Sequence, residues 1–312
     1  MNKTTAQHNI LLGIVLAVAA TIIWSGNFII ARAVNKEISP IALSFFRWFT
    51  ALVLLLPFAW KHIEPSWKIV KQHKFYFFFT ALMGISLFNT FVYIAGHTST
   101  AINMALIGTT SSPIISVILA HYFLKEHIGL RRIIGIVLCI CGILFLLSKG
   151  SFSNLFHLQF TKGDVLILLA AASFAVYNIC ARKKPSEISA VGFLFFVFAI
   201  GTAILLPAYI IDFVYSKPVV WNFKIIGSIL YLGLGTSVIA FLFWNRSIKE
   251  LGAGRTALFG NLIPIFSSIE AVYILSEKIT YVHLISFILI VAGLFVDNMH
   301  LLIKRRSGFK RS

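Results

Sequence analysis

Charged residues are scarce in this sequence. They make up 12% of its 312 residues, whereas a typical soluble domain carries about 25%. Hydrophobic residues reach 59%, and the mean hydropathy is +0.91. A water-soluble domain of this length has too little interior to hide so much apolar surface. The composition therefore excludes a soluble protein and predicts that a lipid bilayer solvates most of the chain.

Acidic residues are scarcest of all. The sequence has 10 Asp and Glu against 27 Lys and Arg, which gives a net charge of +17. In a soluble protein this excess would favour nucleic-acid binding. Here the basic residues lie between apolar runs, so we interpret them as determinants of membrane topology and predict no nucleic-acid partner.

Cysteines and catalytic motifs are also few. Cys139, Cys141 and Cys180 all lie in apolar runs, without the spacing of a disulfide framework or a zinc site. The sequence has no HExxH motif, no paired-carboxylate motif and no P-loop. We therefore predict no catalytic residue, no metal and no cofactor. The absence of a P-loop also predicts that the chain has no ATPase of its own.

What the sequence does contain is a series of long apolar windows. They cover residues 10–31, 40–60, 75–96, 100–124, 130–148, 163–182, 190–212, 224–246, 253–276 and 280–303. Each is long enough for a transmembrane helix, and the first is too long for a cleavable signal sequence. We predict an all-α integral membrane protein with ten transmembrane helices.

The basic residues predict the orientation. If the N-terminus is cytoplasmic, the loops and tails on that side hold 19 Lys and Arg, the opposite side holds 7, and Arg47 lies within a span. Cytoplasmic loops carry the excess of basic residues. The bias predicts a multi-pass protein of the cell inner membrane with both termini in the cytoplasm.

The chain repeats itself internally. Residues 113–126 read PIISVILAHYFLKE and residues 264–277 read PIFSSIEAVYILSE, identical at 8 of 14 positions. We predict a first repeat over 10–148, a second over 163–303 and a basic cytoplasmic tail over 304–312. Five spans per repeat is an odd number, so the second copy enters the membrane with the opposite polarity. Inverted repeats around a central cavity are a recurring architecture of transporters.

At these residues the sequence resembles the drug/metabolite transporter superfamily, and within it the EamA-type ten-helix members. The resemblance covers nearly the whole chain. The motifs that carry it are Pro113 with Glu126, Pro264 with Glu277, the WSGNF stretch over 24–28, and Arg47. It implies a basket-like helical bundle around a central cavity, and export of amino acids or other metabolites. Glu270 departs from the family pattern, which implies a small or apolar residue at its position.

Arg47 and Glu270 are the candidate site residues that say most about function, because both are ionisable residues inside predicted spans. An ionisable side chain within the hydrocarbon costs a few kcal/mol or more unless it is paired or hydrated. Arg47 follows Pro40 by seven residues and Glu270 precedes Glu277 by seven, so both lie about 10 Å in from the periplasmic ends of their helices. We expect them to pair or to flank the cavity, with Arg47 binding a carboxylate and Glu270 accepting a proton or an amino group. The alternative is a structural ion pair, or an Arg47 that extends to the interface.

Aromatic and amide side chains complete the candidate site, because polar groups on an apolar body suit a pocket that orients a small organic molecule. For the tryptophans, a core or interfacial role is the alternative. The candidate substrate-binding residues are Trp24, Asn27, Arg47, Asn89, Tyr93, Tyr177, Trp244, Asn261 and Glu270.

A second set of residues is predicted to be structural. Pro113 and Pro264 each remove a backbone hydrogen bond inside a helix, which creates either a hinge or a packing kink. Glu126 and Glu277 lie at helix ends beside Lys125 and Lys278, where a carboxylate can act as a cap or fix the register. We treat all four as structural or hinge residues.

Together these features predict a secondary transporter of a small metabolite, most of all an exporter of amino acids or related compounds by alternating access. Its partners are then the small-molecule substrate and the lipid bilayer. A lipid or lipid-linked sugar flippase is the alternative, followed by an integral membrane enzyme. The substrate, the direction, the coupling ion and the oligomeric state stay open at this point.

Overall fold

The computed structural model describes residues 3–125, 128–151, 161–216, 218–219, 221–251, 256 and 259–308. Over these residues the chain is helical and has no strand, which confirms the all-α prediction there. In chain order the helices are α1 (Lys3–Ala33), α2 (Pro40–Gln72), α3 (Lys74–Ala95), α4 (Ala101–Leu124), α5 (Leu130–Leu147), α6 (Lys162–Arg182), α7 (Ala190–Tyr215), α8 (Phe223–Leu251), α9 (Ile263–Leu275) and α10 (Tyr281–Gly308).

Within the described residues, seven helices are long and apolar enough to cross a membrane: α1, α2, α3, α4, α6, α7 and α8. Three shorter apolar helical stretches cover Ile133–Leu147, Gly260–Leu275 and Tyr281–Gly293. They lie inside the predicted windows 130–148, 253–276 and 280–303. The chain is therefore a multi-pass membrane protein.

Polar caps determine where the helices begin, because a nearly uniform apolar sequence has no other local start signal. Ser39 Oγ accepts a hydrogen bond from Ala42 N–H at 3.0 Å at the start of α2. Thr161 and Asp164 form a reciprocal capping box at the start of α6, a pair that satisfies two otherwise unbonded N–H groups. The other side-chain caps are Thr100 for α4, Ser189 for α7 and Asn222 for α8.

Helix α2 is longer than its apolar window. The window ends near residue 60, but the helix runs to Gln72. Lys61, Glu64 and Lys68 interrupt the apolar run without interrupting the helix, since Lys, Glu and Gln are good helix formers. The predicted end was therefore too early, because hydropathy locates the edge of the hydrocarbon and not the end of the helix.

Helices α3 and α8 each contain a π-helical segment. The first π segment is Leu82–Leu87 and the second is Tyr231–Ile239. Such segments are rare and often lie at functional sites. Gly84 in the first segment is essential to the packing, because a Cβ there would lie 2.2 Å from Tyr177 Cδ2. The second π segment packs against α2, and the first against α7.

The remaining packing follows a simple pattern. Helix α1 packs on α8 and α9, α6 packs on α3 and α4, α2 packs on α7, and α5 packs on α10. Gly293 lets α10 approach α5 closely, because a Cβ there would lie 2.5 Å from the Gly135 carbonyl oxygen. Helices α1 and α2 each contact both α3 and α8.

The two predicted helix-breaking prolines lie in different settings. Pro113 lies inside α4 as predicted. Pro264 lies in the first turn of α9, after a 3-10 turn over Gly260–Leu262. Pro264 therefore lies where this 3-10 turn passes directly into an α-helix, and its role as a hinge or a packing kink stays a prediction.

Candidate functional site

Arg47 is the centre of a buried polar cluster. Its Nη1 donates hydrogen bonds to Asn27 Oδ1 at 2.6 Å, to Asn89 Oδ1 at 2.7 Å and to Tyr93 Oη at 2.8 Å. Its Nε donates to Ser237 Oγ at 3.2 Å. The cluster therefore joins α1, α2, α3 and the second π segment. We call these five residues the Arg47 cluster.

The Arg47 cluster is closed to solvent. Arg47 is 6% exposed, Asn27 7%, Tyr93 1% and Asn89 0%. Among the described residues no carboxylate lies within 4 Å of the guanidinium, whose partners are all neutral oxygens. A buried cation without a counter-ion is unfavourable in hydrocarbon and marks a functional site. The arrangement suits an anion supplied by a substrate.

Helix geometry explains how these residues meet. Asn89 and Tyr93 lie one turn apart on α3, so their side chains share a face. The second π segment presents Ser237, which accepts from Arg47 Nε and lies 3.0 Å from the Leu232 carbonyl oxygen. The insertion of an extra residue in the turn is what makes this i to i−5 contact possible.

Trp24 and Trp244, two of the candidate site residues, contact each other. Their ring centroids lie 5.0 Å apart, with a 57° angle between the rings. Trp24 also contacts Phe241 and donates its Nε1–H to the Thr236 carbonyl oxygen at 3.0 Å. The indole is therefore fixed between α1 and α8, three residues from Asn27 on α1.

Glu270 does not pair with Arg47. Its Oε1 lies 2.6 Å from Ser25 Oγ, and its buried Oε2 has no hydrogen-bond partner in the described part of the chain. Ser25 and Asn27 lie two residues apart on α1, which separates their side chains by about 200° around the helix. Equal depth, which the sequence predicted, is compatible with this placement. Of the two expected arrangements, pairing or flanking the cavity, the structure does not show pairing, because depth carries no information on rotation about a helix axis.

Two further candidates lie outside the Arg47 cluster. Tyr177 is buried against Gly84 and stacks on Phe174 at 5.6 Å, within an apolar cluster between α2, α3, α6 and α7. Asn261 lies in the 3-10 turn before α9 and is partly buried. Gly260, its neighbour, lies beside the Trp244 ring.

Some contact residues were absent from the sequence prediction. Ser237, Ser25 and Thr236 contact the candidate site through an oxygen atom each. Serine and threonine are common in membrane helices, so their identity carries little signal. For Ser237 the sequence did contain a signal, because Ser237 matches Ser86 at the repeat offset of 151 residues. In the structure both serines lie in π segments.

Glu277 lies at the start of a neighbouring helix. Its Oε1 accepts from Ala101 N–H at 2.8 Å and its Oε2 from Ile102 N–H at 3.2 Å. A carboxylate at this position satisfies free N–H groups and interacts favourably with the helix dipole. Glu126, its counterpart in the first half, lies outside the described residues.

Polar contacts also join the loops at the end of the bundle where α1 stops. Arg32 Nη1 donates to the Gly96 carbonyl oxygen at 2.9 Å. Lys224 Nζ donates to Glu37 Oε1 at 2.5 Å and to the Ala33 carbonyl oxygen at 2.9 Å. The hydrogen bond from Lys224, with a further one from Asn222, lowers the pKa of Glu37 below its ordinary value of 4.5.

Comparison with known families places these features in context. The family described as the EamA-like transporter family matches residues 11–148 and 161–299. An uncharacterized transporter from Archaeoglobus fulgidus is 27% identical over 278 residues, which cover 88% of this chain and 93% of that protein. The transporter YetK from Bacillus subtilis is 27% identical over 293 residues, or 91% of this chain and 86% of its own.

Two further similarities bear on function and fold. A protein from Rickettsia felis named S-adenosylmethionine uptake transporter is 27% identical over 263 residues, which cover 81% of each chain. A protein with a solved crystal structure superposes with a TM-score of 0.63 at 17% identity, and the match covers 96% of this chain and 98% of that one. The second similarity concerns the fold alone.

Proposed function

Because this chain belongs to the EamA-like transporter family, we propose that it is a secondary transporter that moves a small carboxylate-bearing metabolite across the inner membrane by alternating access. Amino acids and related metabolites are the proposed substrates, and export is the proposed direction. The observation that carries the proposal is the Arg47 cluster, a buried guanidinium on α2 held by neutral oxygens from three other helices.

The chemistry of the Arg47 cluster favours a carboxylate. Nε and Nη1 of Arg47 already donate to protein oxygens, whereas Nη2 has no described partner. A guanidinium binds a carboxylate through parallel N–H groups. A substrate carboxylate would therefore supply both the missing acceptor and the missing negative charge. Trp24 lies three residues before Asn27 on α1, so the Trp24–Trp244 pair would contact the apolar part of the substrate.

Alternating access needs two halves of opposite polarity, and the helix contacts support that arrangement. Asp164 at the start of α6 contacts Ser99, just beyond the end of α3, at 2.9 Å. At the other end, Tyr76 near the start of α3 donates to the Cys180 carbonyl oxygen near the end of α6 at 2.6 Å. Helices α3 and α6 therefore run antiparallel.

Helices α1 and α8 repeat this relationship. Lys224 near the start of α8 donates to the Ala33 carbonyl oxygen at the end of α1. Gly13, early in α1, packs against Leu251 at the end of α8. The contact of α1 with α8 is thus the counterpart of the contact of α6 with α3, as expected of inverted repeats.

These relationships support two repeats, over 10–148 and 163–303, that enclose a ten-helix transport path, and a cytoplasmic tail over 304–312. The excess of Lys and Arg in the loops and tails of one side supports the topology in which both termini are cytoplasmic. Each half supplies part of the Arg47 cluster: Asn27, Asn89 and Tyr93 come from the first and Ser237 from the second. Relative movement of the halves would open the cluster to one side at a time.

Transport into and out of proteoliposomes tests the proposal. The purified protein is reconstituted and assayed by counterflow with radiolabelled amino acids. S-adenosylmethionine is a further probe because of the Rickettsia felis relative. We expect accumulation of at least one probe without chemical change. Modified product would instead indicate an enzyme, and movement of labelled lipid would indicate a flippase.

The Arg47 cluster is tested with matched variants. Arg47→Gln removes the charge, Arg47→Lys keeps it without the planar fork, and Arg246→Gln removes a half-exposed charge at the end of α8 that pairs with Glu250. We expect Arg47→Gln to abolish counterflow and Arg246→Gln to retain it. Folding of each variant is checked by thermal unfolding. A folded Arg47→Gln protein with unchanged counterflow would overturn the carboxylate site.

A further inference from the structure

Glu270 is an isolated carboxyl group in the membrane part of α9. One oxygen, Oε1, lies 2.6 Å from Ser25 Oγ on α1, and the other, Oε2, is buried without a partner among the described residues. No Lys, Arg or His nitrogen of the described chain lies within 4 Å of it. An ionised carboxylate in such surroundings is strongly unfavourable. The surroundings of Glu270 therefore fit the neutral acid.

A count of the protons in the hydrogen bonds of Ser25 also indicates that Glu270 is protonated. Ser25 Oγ lies 2.6 Å from the Ile22 carbonyl oxygen and 2.6 Å from Glu270 Oε1. Both distances are those of a hydrogen bond, yet a serine hydroxyl has one proton to donate. The Ile22 carbonyl can only accept. If Ser25 donates to Ile22, the proton between Ser25 and Glu270 must belong to the carboxyl group.

The neighbouring groups supply no second proton to the carboxyl. Tyr231 faces Glu270 from the second π segment, but its hydroxyl donates to the Ile23 carbonyl oxygen at 2.8 Å. The ionisable residues of the helices packed on α9, and of α9 itself, otherwise lie toward helix ends: Lys3, His8 and Arg32 of α1, His121 and Tyr122 of α4, and Tyr273 of α9.

We propose that Glu270 and Ser25 form a proton-binding site, separate from the Arg47 cluster, that carries the coupling ion of the transport cycle. In the protonated state, Glu270 donates to Ser25 and Ser25 donates to the Ile22 carbonyl. On loss of the proton, Ser25 turns its hydroxyl to the carboxylate, and the Ile22 carbonyl loses that bond. Proton release therefore changes the hydrogen bonding of α1 itself.

Helix α1 connects this site to the Arg47 cluster. Ser25 contacts Glu270, and Asn27, two residues later, accepts from Arg47. The two residues differ by about 3 Å in height along the helix. A shift of α1 that accompanies protonation thus reaches Asn27 directly. This link to transport rests on the proposed function, whereas the proton site itself does not.

Infrared difference spectroscopy tests the proton site without any substrate. The protein in lipid is titrated with acid and base, and the carbonyl-stretch band of protonated carboxyl groups is followed. We expect the wild-type protein to show a band that is lost in Glu270→Gln. In Ser25→Ala the carboxyl remains but loses its hydrogen-bond partner, so the same band is expected to shift to higher frequency. Glu187→Gln, at an exposed loop position, is the matched control and should leave the band unchanged.

The outcomes separate the two proposals. A folded Glu270→Gln protein whose difference spectra equal those of the wild type would overturn the proton site, because Glu270 would then neither bind nor release a proton over the titrated pH range. An unshifted band in Ser25→Ala would overturn the assigned hydrogen bond. If the band is lost in Glu270→Gln and the wild-type protein transports none of the probes, the proton site is supported and the proposed function is contradicted.

Discussion

Asn27 accepts a hydrogen bond from Arg47 at 2.6 Å, and Ser25, two residues earlier on the same helix, lies 2.6 Å from Glu270. About half a turn of α1 therefore separates the contact with a buried cation from the contact with a partly buried carboxyl group that could neutralise it. If both side chains were ionised, each charge would be unfavourable in hydrocarbon unless it had another partner during the transport cycle. Because Arg47 and Glu270 do not neutralise each other, we expect a substrate anion to pair with Arg47 and a proton to neutralise Glu270.

A carboxylate introduced beside Arg47 should compete with the substrate. Asn27→Asp places one at the position of Asn27 Oδ1, 2.6 Å from Arg47 Nη1. We expect the apparent affinity for a carboxylate probe to fall about tenfold, or ~1.4 kcal/mol, while thermal stability is retained. Counterflow kinetics and thermal unfolding measure the two effects. Unchanged affinity in a folded Asn27→Asp protein would argue against substrate binding by Arg47.

The first π segment should tolerate no side chain at its glycine. Gly84→Ala would bring a Cβ to 2.2 Å from Tyr177 Cδ2, and such overpacking costs about 1–3 kcal/mol. Gly227→Ala is the matched control, since no atom lies within 4 Å of its Cβ position. Thermal unfolding should show a lower Tm for Gly84→Ala alone. Equal Tm values for the two variants would contradict the close packing of α3 on α6.

Loss of the Glu277 cap should affect stability and not substrate affinity. Glu277→Gln keeps the shape but removes the charge that accepts from Ala101 N–H and Ile102 N–H. Caps and helix-dipole contacts contribute about 1 kcal/mol, so we expect a modestly lower Tm with an unchanged apparent KM in counterflow. A changed KM at unchanged Tm would assign Glu277 a part in transport instead.

The contact between Lys224 and Glu37 predicts a pH dependence. Hydrogen bonding to Lys224 lowers the pKa of Glu37 below 4.5, so this contact stabilises the folded state above that pH. The contribution is lost as the pH falls through the lowered pKa. We expect Glu37→Gln to lower the Tm at neutral pH and to leave it unchanged at acidic pH. A Tm difference that persists in acid would contradict the assignment.

Hydropathy determined most of the secondary structure. The window 163–182 corresponds to α6 at Lys162–Arg182, and the window 100–124 to α4 at Ala101–Leu124. This agreement has a physical cause, because in lipid a backbone must satisfy its hydrogen bonds internally and an apolar run therefore becomes a helix. The internal match of 113–126 with 264–277 likewise carried the family resemblance, which the family match confirms.

Side-chain partners were decided by the tertiary structure. The sequence predicted that Arg47 and Glu270 lie at one depth, because the distance along a helix follows from the number of residues. Their direction around the helix axes depends on how the helices pack, and the π segments alter that direction by an extra residue per turn. Arg47 accordingly donates to Asn27, Asn89, Tyr93 and Ser237, while Glu270 contacts Ser25. The sequence alone thus predicted which residues form apolar helices, because an apolar run must satisfy its backbone hydrogen bonds internally, and only the packing of the helices decided which side chains touch.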